Sequence, residues 1–235
     1  MKRVLIVLLA ALLVLAVGCK KQEAEVEEEI GQAGAISGGW APAADYEITE
    51  ARQAIFEKGL KDLVGVNYAP VAYLGSQVVA GTNHVYLAQA TVVYPGATPA
   101  FVLIYLYEDL QGKVQLMTVA DMPIVPQADG TATAPESGLM GGWSYAASPE
   151  VTDEMLTRLD LALEGLVGAT YQPVADLGTQ VVAGLNRCLL CQVSPVVPDA
   201  QPHYALVYVY EDLQGGGALN QVIDLDVGAL CTYGA

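Results

Sequence analysis

Positive charge is scarce in this chain. Ten lysines and arginines stand against 26 aspartates and glutamates, giving a formal net charge of −16. A nucleic-acid surface needs the opposite sign along a groove, so that class of partner is excluded. The acidity favours solubility and is compatible with basic partners. Histidine is scarcer still. The two present, His84 and His203, fall at unrelated positions and read as strand or loop surface. No nucleophile–base pair can be assembled, and Glu108-Asp109 flanks a turn where it is solvated. The sequence therefore predicts neither an enzyme nor a cofactor. Cysteine is sparse: beyond Cys19 there are only Cys188, Cys191 and Cys231. The CxxC at Cys188–Cys191 lacks a second cysteine pair and a partner histidine, so no metal site is expected. It also reads as strand, where three residues span about 10 Å, while a disulfide needs Cα atoms within about 7 Å. Pairing of one of the two with Cys231 stays open.

What the chain does have is duplication. Gln-Val-Val-Ala-Gly occurs at Gln77–Gly81 and again at Gln180–Gly184. Trp40 and Trp143, and Asp109 and Asp212, are offset by the same interval. Aligned without a gap, residues 38–124 and 141–227 agree at roughly 40 of 87 positions. Each repeat is long enough for one small core. The boundaries predicted are 1–18 signal, 19–37 tether, 38–124 first domain, 125–140 linker, 141–227 second domain and 228–235 tail. The linker assignment rests on the Pro, Gly, Ala and Thr of residues 125–140.

Within a unit, Thr49 is placed to cap a helix, with Glu50 in its first turn. Ile55, Phe56, Leu60, Leu63 and Val64 recur at helical spacing before Gly65. Thr152, Asp153, Leu156, Leu159, Leu163, Leu166, Val167 and Gly168 repeat the pattern. Four strands follow, at 68–77, 82–94, 100–107 and 114–120, joined as antiparallel hairpins. The runs AFVLIYLY and HYALVYVY do not alternate apolar with polar, as a sheet with one wet face should. Part of the second face is therefore expected to be covered, by packing of sheet on sheet between domains or between molecules.

The start of the chain carries Lys2-Arg3 and then an apolar run from Val4 to Gly18. That is the form of a secretion signal and short of the roughly 20 residues of a membrane span. Ala16-Val17-Gly18-Cys19 resembles a bacterial lipoprotein cleavage site, with Ala16 in place of the usual leucine. The resemblance implies lipidation of Cys19, export, and anchoring to the cell envelope, each buried methylene contributing about 0.8 kcal/mol. Residues 19–37, with Glu23, Glu25, Glu27, Glu28 and Glu29, read as a self-repelling tether.

Gln-x-Val-x-Gly between two strands, behind a helix and a Gly-Gly start, resembles the cystatin family, and QVVAGTN at 77–83 is particularly like its stefin and plant members. The resemblance implies an α+β fold: tandem cystatin-like domains, each one helix packed on an antiparallel sheet of about four to five strands. It also implies occluding inhibition of papain-like cysteine endopeptidases, one possible per domain, by a three-part wedge. The first part is a glycine trunk with apolar residues before it: Ile36, Gly38 and Gly39 in one copy, Leu139, Met140, Gly141 and Gly142 in the other. The second is the tip Gln77, Val78, Val79, Ala80 and Gly81, or Gln180, Val181, Val182, Ala183 and Gly184. Three apolar side chains at a turn form a patch suited to a partner. The third is a second hairpin, where many family members carry Pro-Trp and this chain has Asp109-Leu110 and Asp212-Leu213. Leucine offers less area than tryptophan. Ser37 interrupts the first trunk, so the second copy is expected to bind more tightly. The alternative is a non-inhibitory binding or scaffold lipoprotein of the same fold, since folds recur with unrelated functions.

Overall fold

A computed structural model describes residues 39–136 and 141–232. The stretches read as signal and tether, with Cys19, Ile36 and Gly38, and likewise Leu139 and Met140, lie outside the described residues. In the first repeat a short strand β1 (Trp40–Pro42) precedes helix α1 (Glu50–Leu60). Four strands follow: β2 (Val66–Val79), β3 (Gly81–Val92), β4 (Ala100–Glu108) and β5 (Val114–Asp121). Thr49 stands in extended conformation before α1, and its side chain accepts a hydrogen bond from the Arg52 amide. An otherwise orphaned donor of the first turn is thereby satisfied. The strands form one antiparallel meander in the order β1-β2-β3-β4-β5.

Residues 125–136, within the stretch read as linker, carry a small hairpin of β6 (Val125–Pro126) and β7 (Ala132–Thr133). The second repeat then rebuilds the first: β8 (Trp143–Tyr145), α2 (Asp153–Ala162), β9 (Ala169–Val182), β10 (Gly184–Pro195), β11 (His203–Glu211) and β12 (Gly217–Asp224). Its five strands lie in the matching order, and Thr152 caps α2 through the Met155 amide.

The expected pair of helix-on-sheet α+β domains is corrected here. The structure is mostly β, with 48% strand and 11% helix, and its two five-stranded sheets share one core. The reason lies in the central strands. Phe101 to Leu106 of β4 are all buried, on both faces of the sheet. Alternate side chains Phe101, Leu103 and Tyr105 enter the core between the sheets; Val102, Ile104 and Leu106 face α1. The helices are too slight to carry a domain each. Phe56 is the one fully buried side chain of α1 and Leu159 that of α2. Leu63, Val64, Leu166 and Val167, expected to join the helical core, are exposed, because each helix ends before them.

The core between the sheets is built from matching positions of the two repeats. Ala72 and Ala175, Leu74 and Leu177, Val85 and Cys188, Leu103 and Leu206, and Tyr105 and Tyr208 all contribute. Hydrogen bonds repeat the relation: Gln89 donates to the Ala147 carbonyl at 3.0 Å and Gln192 to the Ala44 carbonyl at 3.2 Å. The arrangement is that of an isologous dimer made within one chain. Both outer strands, β5 and β12, contain an irregularity, opposite Tyr105/Leu106 and opposite Tyr208/Val209.

A shared core predicts one cooperative unfolding transition for both repeats. Leu103→Ala should lower that single transition by about 2–5 kcal/mol, measured by urea unfolding followed by far-ultraviolet dichroism. Two transitions, only one of them shifted, would contradict the shared core.

Candidate functional site

At the β2–β3 turn, Val79 pairs with Gly81 and Ala80 forms the apex. Gly81 has φ +129° and Gly184 has φ +124°, a region that L side chains rarely adopt. Space excludes a side chain as well, since a Cβ on Gly81 would run into the Glu108 carbonyl and the Tyr107 ring. Gly184 meets Glu211 and Tyr210 in the same way. The Tyr107 hydroxyl donates to the Ala80 carbonyl and the Tyr210 hydroxyl to the Ala183 carbonyl, each at 2.5 Å. The tip is therefore held from the neighbouring strand as well as by its own ladder.

The glutamine that begins each pentapeptide is tied across the turn to an asparagine of the next strand, and in the second repeat to the incoming chain as well. Asn83 Nδ2 donates to Gln77 Oε1 at 2.7 Å, and Asn186 Nδ2 to Gln180 Oε1 at 2.9 Å. Gln180 Nε2 donates to the Gly141 carbonyl at 3.0 Å. Trp40 stands opposite Gln77 and Trp143 opposite Gln180, so Gly39 and Gly142, each next to its tryptophan, adjoin the start of the pentapeptide. The second hairpin lies alongside, because Glu108 pairs with Thr82. Gly39, Gln77–Gly81, Asp109 and Leu110 thus share one end of the first sheet. Gly141, Gly142, Gln180–Gly184, Asp212 and Leu213 share the matching end of the second.

The apolar side chains of both ends are displayed. Val78 is 49% exposed, Val181 71%, and Leu110 and Leu213 80% each. Asp109 and Asp212 have a different role. Asp109 Oδ1 accepts from the amides of Gln111 and Lys113, both at 2.9 Å, and Asp212 Oδ1 from Gln214 and Gly216. These amides hold the Asp212 carboxyl below the ordinary carboxylate range. The aspartates close the turn that lifts the leucine.

Beneath the tips the repeats part company. In the first, the buried Tyr73 hydroxyl meets His84 Nδ1 at 2.9 Å, and His84 Nε2 lies 3.3 Å from Glu108 Oε2. Arg52 stacks over the Tyr73 ring and pairs with Asp45. Burial pushes Tyr73 up to about 12 and holds His84 below its ordinary 6.5, with Glu108 opposing the latter shift. His84, expected at the surface, is only 4% exposed. In the second repeat the same three positions hold Asp176, Arg187 and Glu211. Arg187 bonds Asp176 at 2.6 Å and Glu211 at 2.5 Å. Burial raises Asp176 to about 6 even beside the guanidinium.

Cys188 faces the core between the sheets and Cys191 the helix side; both are free and buried. Burial pushes the Cys191 thiol up to about 12, which makes it a poor nucleophile and ligand. Among the described residues no cluster of histidine, cysteine and acid could hold a metal ion. No helix among them is long and apolar enough to cross a membrane.

Three residues that hold the tips, Asn186, Tyr107 and Tyr210, do not stand out in the sequence, and Asn83 does so only as the end of QVVAGTN. Their signal was present, since each pair is identical at the repeat interval. No protein-family model matches the chain, and no curated protein shows a significant similarity to it.

Because the fold keeps His84 neutral, its contribution to stability is full above pH 6.5 and is lost as pH falls below that value, where the unfolded chain takes up the proton first. The stability difference between wild type and His84→Gln should therefore shrink as pH falls from 7 through 6.5 and below, in urea unfolding across that range. A constant difference would show that His84 is not buried neutral.

Proposed function

We propose that each tip end is an occluding inhibitory surface for papain-like cysteine endopeptidases. The observation that carries this reading is the pairing of exposure with rigidity. Three adjacent apolar residues stand in water on a turn held by a positive-φ glycine, a tyrosine and a glutamine–asparagine pair, in both repeats. Exposed apolar side chains fixed in this way serve a partner, and their preorganisation limits the entropy lost on binding.

In the proposed complex Val78, Val79 and Ala80, or Val181, Val182 and Ala183, enter the peptidase cleft and cover its thiol. Leu110 or Leu213 adds contact on one flank and the glycine trunk on the other. The chain performs no chemistry: it excludes substrate and presents no bond in reacting position. Export and lipid attachment at Cys19 belong to the same proposal, resting on the sequence of residues 1–19. A non-inhibitory binding module draws support from one observation. Gly81 and Gly184 are required by the turn itself, so their retention needs no peptidase. That observation does not account for Val-Val-Ala at both tips.

Titration of papain with the chain from residue 20 onward separates the two. Inhibition is expected below micromolar concentration. Val78→Glu with Val181→Glu should weaken it by about 30-fold, or about 2 kcal/mol, while leaving the unfolding transition in place. Full papain activity at micromolar protein would defeat the inhibitory reading.

A further inference from the structure

The two tip ends point away from each other. Tyr145 pairs with Gly178, four residues short of the Val182 end of β9, so it belongs to the tip-bearing half of the second repeat. Its ring packs on Phe101 at 6.0 Å between centroids, and its hydroxyl donates to the Met122 carbonyl at 2.7 Å. Phe101 and Met122 mark the opposite half of the first sheet, since Phe101 pairs with Gln89, eight residues along β3 from Gly81. The converse contact exists. Tyr105 donates to the Val227 carbonyl at 2.6 Å, and Gly228 lies against the Trp40 ring. Trp40 and Tyr105 are close to the first tips, whereas Val227 and Gly228 follow the strand end that pairs near Tyr204. Each repeat's far end thus abuts the other repeat's tip end.

At about 3.3 Å per residue, eight residues from the first tip to Phe101 and four from Tyr145 to the second tip put roughly 40 Å between the tips. We propose that one molecule holds two peptidases at once, one on each end, facing in opposite directions and out of contact with each other. This rests on the inhibitory reading and adds to it: the shared core fixes the relation of the two bound enzymes, which a flexible linker would leave free. The occupants are peptidases of one chemistry, since Val-Val-Ala and Leu recur at both ends.

The test is the stoichiometry of the complex with papain whose active-site thiol is blocked. The chain from residue 20 onward is mixed with excess papain and read by sedimentation velocity. Wild type should carry two papains. With papain kept below the roughly 30-fold weakened affinity of a substituted tip, Val78→Glu and Val181→Glu, both at exposed positions, should each carry one, and the double variant none. Small-angle scattering of the doubly loaded complex should give an elongated three-body particle with the inhibitor in the middle. If wild type never binds more than one papain while both single variants still bind one, the ends exclude each other and the proposal is overturned. One papain on wild type with none on either variant also overturns it, because a single composite surface is then at work. Absence of any complex in all four proteins sinks the inhibitory reading itself and leaves the arrangement of the ends untouched.

Discussion

Burial of both faces of each sheet is the constraint on which the structure depends. A helix of 10 or 11 residues covers one face only in part. The other face carries Leu74, Val85, Leu103 and Tyr105 in one repeat and Leu177, Cys188, Leu206 and Tyr208 in its copy. Left in water, each such side chain would forgo about 1.5–3 kcal/mol of transfer free energy. Packing one sheet on the other removes both sets from water together. The tips owe their fixed positions to this, for they project from strands clamped on two sides.

Much of this was legible in the sequence, and what was not has definite reasons. The repeat interval located both sheets, the threonine caps located both helices, and the strand boundaries came within a few residues of Val66–Val79 and Gly81–Val92. The unbroken apolar runs announced a covered second face. They could not name the covering surface, because periodicity reports burial and is silent on what does the burying. Leu63 and Val64 fit a helical stripe but lie past the end of α1, and helix length is set by caps and packing that a pattern does not contain. The strand at Trp40–Pro42 escaped notice because three residues give no period to read.

At the candidate site, the residues with a motif were legible and those that support them were not. Gln77 to Gly81 declare themselves as a repeated string. Asn83 and Tyr107 are ordinary strand residues until the register brings them to Gln77 and Ala80. The polar groups below the tips show the converse. Tyr73, His84 and Glu108 share positions with Asp176, Arg187 and Glu211, and only the glutamate is common. Two unlike solutions hold the same turn, one through a neutral imidazole and one through a permanent cation. Duplication preserved the surface shape and let the support beneath it drift.

The irregularities in β5 and β12 have a consequence for the molecule's neighbours. Both strands run along the open margin of a sheet, where unpaired amides and carbonyls invite another chain to add on. A rigid body with such margins on both of its sheets could polymerise without limit. The extra residue twists each margin out of line, so a flat, continuous template is missing on either side. The margins formed by β5 and β12 are thereby poor templates on which a second copy of the chain could add a strand.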